Sequence, residues 1–280
     1  CNEIFLDVTP ELGRPADPAW SIAYDGNRFV EIWNLVFQQF DRQEDGVLVP
    51  LPTKNIDTGM GLERTVAVLQ GMPSDYETDL FLPIIREVEA ISGGSYGSDE
   101  AVTRAMRVIA DHIRGAVFAI ADGVMPSNVG RGYVLRRIIR RAVLRGKELG
   151  LDKPFMYQIV GTVADMMKHV YPEPKDRQDY VTSLIKSEEE KFLRTLDSGM
   201  ARLTSQIQEV KERGGKMLPG DVAFSLHDTY GFPLELTQEI AKAEGLDVDV
   251  AGFEAAMEDQ RLRAKEASAI PTALFGSGEN

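Results

Sequence analysis

The stretch NIDTGMGLERTVAVLQG (residues 55–71) gathers a carboxylate, two glycines and a guanidinium: Asp57, Gly59, Gly61 and Arg64. A carboxylate where a strand meets a turn can hold a ligand ammonium, or can bond local backbone amides. Spaced glycines let backbone approach a ligand closely, and ordinary turns use them too. Arg64 falls one turn into a helix expected over 62–70, where the helix dipole disfavours a cation. A guanidinium so placed can stack on a purine ring and pair with phosphate oxygens. Asn34 interrupts the apolar run RFVEIWNLVFQQF (28–40), which reads as a strand buried on both faces. A buried amide needs a partner, either a neighbouring strand or a ligand.

A second concentration of chemistry lies at 131–147, with seven basic side chains and no acid: Arg131, Arg136, Arg137, Arg140, Arg141, Arg145 and Lys147. Most recur at i, i+4 spacing and crowd one broad helix face, opposite an apolar side of Leu135, Ile138, Ile139, Ala142 and Val143. The chain as a whole carries −13, which argues against non-specific nucleic-acid binding by its surface. The island therefore has a local cause. Either carboxylates of neighbouring helices neutralise it, or it meets phosphates along an RNA backbone.

The elements that must position these groups change character along the chain. Residues 1–74 read as strands, with CNEIFLDV first and GVLVPLP a short strand that its prolines limit. Gly59 and Gly61 mark a sharp turn before the helix. From residue 75 to 280 the pattern is helical. Helices are expected over 79–92, 100–123, 133–149, 154–170, 178–213, from Pro233 to about Gly245, and over 250–268, with MPSNVGRG and HDTYGFP as turns. Phe192, Leu196, Leu203, Ile207 and Val210 form the stripe of the long helix, and KSEEEK within it reads as a solvated face. Of 280 residues, 43% are hydrophobic and 27% charged, the balance of a globular chain with a sizeable core. One cysteine, Cys1, and three histidines exclude an internal disulfide and a closed Cys/His zinc site. His112 reads as a packed or capped core histidine, His169 closes a helix, and His227 adjoins Asp228. No apolar run is long enough to span a membrane. The chain begins at Cys rather than Met and reads as a piece of a longer protein.

GMGLER, following a strand and opening a helix, resembles motif 3 of the class II aminoacyl-tRNA synthetases. With EIWNLVFQQF and IDTGMGLER, and then TDLFLPII, RVIADHIR, ADGVMPSNVGRGYVLRRIIRRAVLRG and HDTYGFP in order, the resemblance is to the alanyl-tRNA synthetase family and spans nearly the whole chain. It implies an α+β fold, the C-terminal part of an antiparallel-sheet catalytic domain followed by a mainly α-helical tRNA-recognition domain. It implies that Asp57 holds the amino group of alanine, that Asn34 helps fix that substrate, and that Gly59 lines the small side-chain pocket. Gly61 would lie by the nucleotide, and Arg64 would stack on the adenine of ATP and reach its phosphates.

The same resemblance implies that Asn128 and Asp228 flank the G·U pair of the tRNA(Ala) acceptor stem in its shallow minor groove. Arg131, Arg136, Arg137, Arg140 and Arg141 would contact its phosphates. Local alternatives remain, a turn position for Asn128 and a turn bond or helix cap for Asp228. ATP with Mg²⁺ is the implied substrate complex, the implied setting is the cytoplasm, and no resident zinc or other metal is expected. The family's motifs 1 and 2 precede this region, and its HxxxH-type editing domain is not in it. The stretch by itself is therefore expected not to form adenylate, and no side chain in it is assigned a catalytic role. The rival reading is a non-catalytic RNA-binding helical module that uses residues 1–70 as scaffold.

Overall fold

The computed structural model describes residues 2–13 and 28–268, with side chains to residue 260; Cys1 lies outside these. Tertiary contacts divide the chain into two compact units, Cys1–Ile84 and Ile85–Asn280.

The first unit is built on three antiparallel strands, β1 (Asn2–Asp7), β2 (Phe29–Arg42) and β3 (Leu48–Met60), in the order β1-β2-β3. β2 is central and rich in β-branched and aromatic residues, as a strand paired on both edges should be. It is not buried on both faces. Phe29 is buried, whereas Phe37 and Phe40 are 44% and 54% exposed. Among the described residues nothing covers that end of the sheet, so its apolar content reflects pairing rather than enclosure. β3 also departs from expectation. It runs on through Pro50 and Pro52 to Met60, so Gly59 lies inside a strand and not in a turn. Both prolines are tolerated because β3 is an edge strand, and the register shifts between Gln38 and Phe40, opposite Pro50. Gly61 caps α1 (Leu62–Gln70), which ends at Gly71 in the left-handed conformation (φ 64°).

The second unit is helical. α2 (Leu82–Ser92) leads into it, followed by α3 (Glu100–Ala121), α4 (Gly130–Glu148), α5 (Met156–Met167), the short α6 (Glu173–Asp176) and α7 (Gln178–Glu212). Asp99 starts α3 by accepting the Val102 amide at 2.9 Å. α4 begins three residues before the expected start, at Gly130. A two-residue parallel pair, β4 (Met217–Leu218) with β5 (Asp247–Val248), brackets α8 (Gly220–Tyr230) and α9 (Leu234–Ala243), and α10 (Val250–Ser268) follows. The segment HDTYGFP is therefore largely the last turn of a helix, with Gly231 as its left-handed cap (φ 72°) and Pro233 capping α9. The core is drawn from the apolar faces of α3, α4, α5 and α7: Ile109, Ile113, Ile139, Ile159, Ile185 and Phe192 are fully buried. No helix among the described residues is long and apolar enough to cross a membrane.

Candidate functional site

The sheet register settles which residues of the first group share a face. Asn34 pairs with Gly59 and with Glu3, and Val36 pairs with Asp57. Side chains alternate along a strand and directly opposed residues point the same way. Glu3, Asn34, Asp57 and Gly59 therefore lie on one face. The Asn34 amide donates to the Glu3 carboxylate at 3.1 Å, the structural partner its type required. Asp57 is exposed and makes no side-chain hydrogen bond or ion pair among the described residues. Gly59 is open: a Cβ there would meet nothing within 4 Å among the described residues. Arg64 is exposed and forms no ion pair among the described residues; its Nη1 donates to the Glu31 carbonyl of β2 at 2.9 Å. That bond draws the guanidinium back along the sheet from the first turn of α1, with the aliphatic stem 3.5 Å from the place a Gly61 Cβ would take. Nearby, burial and then Glu63 push the Asp75 carboxyl up, against the pull of Arg64.

In the helical unit, Asn128 and Asp228 line one cavity of about 910 Å³, walled by the first half of α4, part of α7, the end of α8 and the first part of α10. Gly132 makes the loop before α4 possible. A Cβ on it would overlap Ser127 and the Met125 carbonyl, so only glycine lets residues 125–129 fold onto the helix. Asn128 Oδ1 accepts from Arg136, one of whose donors also reaches the Pro126 carbonyl at 3.4 Å. On the opposite wall, Arg140 fixes the end of α8. Its Nε and Nη2 bond Glu188 at 2.8 and 2.6 Å, its Nη1 bonds the Gly231 carbonyl, and it lies 5.1 Å over the Phe192 ring. A side chain at Gly231 would overlap that guanidinium. Thr195 donates to the Tyr230 carbonyl at 2.7 Å, satisfying another terminal acceptor of α8. His227 lines the cavity between Tyr133 and Phe253, with Phe253 edge-on at 5.6 Å. Burial holds its imidazole below the ordinary range, although Asp228 opposes this. The Tyr133 hydroxyl donates to Glu235 at 2.8 Å and is pushed up to about 12 by burial and by that carboxylate.

The basic island is largely matched by acids. Arg136 and Arg140 meet Glu188, Arg137 meets Glu235, Arg141 meets Glu239, Arg145 meets Glu239 and Glu148, and Lys147 meets Asp152 and Asp197. Arg131 is exposed with no such partner among the described residues. The KSEEEK run is not a solvated face. Glu188 is 2% and Glu189 0% exposed. Glu189 accepts the amides of Phe155, Met156 and Tyr157 at 3.0, 3.0 and 3.2 Å, closing the start of α5. Burial nevertheless pushes its carboxyl up to about 7. Both glutamates stand three and four residues after Ile185 on the buried stripe, and that spacing was the signal for them. His112 is a packed residue of α3, bonded to Asp111 at 2.8 Å.

Residues 1–274 match the model of the family described as tRNA synthetases class II (A). The chain belongs to that family. Among curated proteins, this class II synthetase chain is 52% identical over 267 residues to the alanine–tRNA ligase of Geobacillus kaustophilus. It is 49% identical over 267 residues to that of Bacillus subtilis, and each alignment covers 95% of this chain and 30% of the relative. Against the alanine–tRNA ligase of Listeria monocytogenes it is 49% identical over 279 residues, covering 99% of this chain and 32% of the relative. The chain thus spans about a third of the length of the curated relatives it matches. Its antiparallel sheet followed by helices fits the α+β class of the family.

Proposed function

We propose that this chain is part of an alanine–tRNA ligase. Residues 1–74 contribute the later part of the catalytic domain and residues 75–280 recognise tRNA, working in the cytoplasm. In the first step a carboxylate oxygen of alanine attacks the α-phosphorus of ATP, and pyrophosphate leaves. In the second a terminal ribose hydroxyl of tRNA(Ala) attacks the activated carbonyl, and AMP leaves. The residues here position and neutralise. Asp57 receives the ammonium of alanine, Asn34 orients the substrate, Gly59 leaves room for its methyl group, Gly61 lies beside the nucleotide, and Arg64 stacks on adenine. Magnesium arrives with the ATP phosphates as part of the substrate complex.

The observation that carries this reading is Gly59. Among the described residues no neighbour and no positive φ demands a glycine there, yet it sits on the same face as the Asp57 carboxylate, which has no partner among those residues, and the Asn34 amide. An RNA-binding module with a scaffold sheet has no use for that vacancy. The helical unit supports the second half: Asn128 and Asp228, far apart in sequence, share one cavity. They are suited to flank the acceptor-stem G·U pair. Arg131, without an ion pair among the described residues, offers a cation to phosphates, while Arg136, Arg137, Arg140 and Arg141 keep donors beyond those their carboxylates use.

The test is Asp57→Asn in the ligase that contains this chain, read by alanine-dependent ATP–pyrophosphate exchange. Losing a charge-assisted bond worth about 1.5–3 kcal/mol raises the KM for alanine by roughly 10- to 150-fold, with the KM for ATP unmoved. An unchanged alanine KM refutes the assignment.

A further inference from the structure

The carboxylate of Asp228 is held from outside its own helix. Its Oδ1 accepts a hydrogen bond from Nε2 of Gln260, 32 residues on, in α10. Both residues line the cavity that also holds Asn128. The bond joins two helices that are locked together. Gly220, at the start of α8, approaches the backbone at Gly252 and Phe253 so closely that a Cβ would overlap it, and the Phe253 ring meets His227 edge-on. α10 thus presents the Gln260 carboxamide from a fixed position.

We propose that Gln260 is a positioning residue for RNA recognition: by bonding one oxygen of Asp228 it sets the carboxylate so that the remaining lone pairs face a base edge. This rests on the reading of Asp228 as the residue that meets the acceptor stem. A carboxylate has about four acceptor positions, and one amide donor occupies one of them. The ligand fitted to the rest is an exocyclic amino group in an RNA minor groove, such as the guanine amino group that a G·U pair leaves without its usual partner. Gln260 takes one acceptor position on Oδ1 and leaves the others, those of Oδ2 among them, to the amino group of the base. A carboxylate on the exposed last turn of a helix would otherwise sample several rotamers and lose that freedom on binding. Holding it in advance is worth about two- to tenfold in affinity.

The experiment compares acceptor-stem duplexes that carry G·U or inosine·U at the recognised pair, inosine lacking only the 2-amino group. Binding to the ligase that contains this chain is followed by fluorescence anisotropy, for the unaltered protein, Gln260→Leu and Asp228→Ala, with folding checked by circular dichroism. The preference of the unaltered protein for G·U over inosine·U falls about two- to tenfold in Gln260→Leu, through weaker G·U binding alone. If Gln260→Leu tightens G·U binding, Gln260 blocks the site and the proposal is overturned. An unchanged preference, or an equal loss for both duplexes, overturns it too. Asp228→Ala separates the two levels. If it leaves the preference intact, the reading of Asp228 fails and takes this inference with it. If it abolishes the preference while Gln260→Leu does not, the inference alone fails.

Discussion

Replacing Gly59 by alanine should move folding and substrate binding in opposite directions. Gly59 is the next-to-last residue of β3, opposite Asn34, with no positive φ. A Cβ there meets nothing within 4 Å among the described residues. The new methyl group therefore costs the native fold nothing in sterics, and it removes conformational freedom from the unfolded chain. That stabilises by about 0.4–1 kcal/mol. The same methyl group occupies the space assigned to the side chain of alanine. One methyl-sized misfit in a pocket costs about 1–3 kcal/mol, a factor of roughly 10–200 in affinity. Alanine-dependent ATP–pyrophosphate exchange in the ligase containing this chain measures the second effect, and thermal unfolding followed by circular dichroism measures the first. The expected result is an alanine KM raised at least tenfold, an unmoved ATP KM and an unchanged or slightly higher Tm. An unaltered alanine KM with the fold intact would remove Gly59 from the substrate pocket. A Tm lowered by several degrees would mean that the face is closed by something the open geometry does not show.

Two further outcomes concern the helical unit. Arg140→Met leaves Glu188 facing Arg136 alone and frees the Gly231 carbonyl; breaking a buried ion pair from one side costs about 3–5 kcal/mol, read as a lower urea midpoint at unchanged m. A loss below about 1 kcal/mol would show that Arg140 is no clamp. For Glu189 the folded carboxyl stands near 7 against an ordinary 4.5, so the folded state retains a proton that the unfolded chain releases. Its contribution is full below the ordinary value and is lost as pH rises through about 7. Relative to Glu189→Gln, the unaltered protein should therefore lose on the order of 3 kcal/mol between pH 4.5 and pH 8, measured by urea unfolding. Parallel pH profiles would place the proton elsewhere.

Periodicity located most helices of the second unit because each buries one stripe against that unit's core, but it missed α8, whose last turn reads as a plain turn. Of the stripe Phe192, Leu196, Leu203, Ile207 and Val210, the first four are buried and Val210, near the helix end, is half-buried. The sheet was less legible for a physical reason. Apolar runs mark pairing as well as enclosure, so β2 looked buried on both faces while Phe37 and Phe40 stand exposed. β3 looked short because prolines usually end strands, but an edge strand tolerates them where no ladder bond is needed. In the site, residue types suggested Asn34, Asp57, Gly59 and Arg64, and only the register could show that the first three share a face. Gln260 was beyond reach of the sequence, since no local pattern links α10 to the last turn of α8.

The charge of α4 deserves a different reading from the one its sequence invites. Seven basic side chains in an acidic chain suggest a bare cationic surface, yet among the described residues carboxylates from α7, α9 and the flanking loops meet all but Arg131. Simple neutralisation does not explain the geometry. Arg136 touches both Asn128 and Glu188, and Arg140 touches both Glu188 and the cap of α8. One buried carboxylate thereby ties the loop bearing Asn128 to the helix end bearing Asp228. The side chains of Arg140 and Arg145 are turned inward, 11% and 10% exposed, whereas those of Arg137 and Arg141 are 33% and 41% exposed and stay open to phosphates. The helix is better understood as the beam that sets the span between two short polar side chains, with its free charge confined to its first turn.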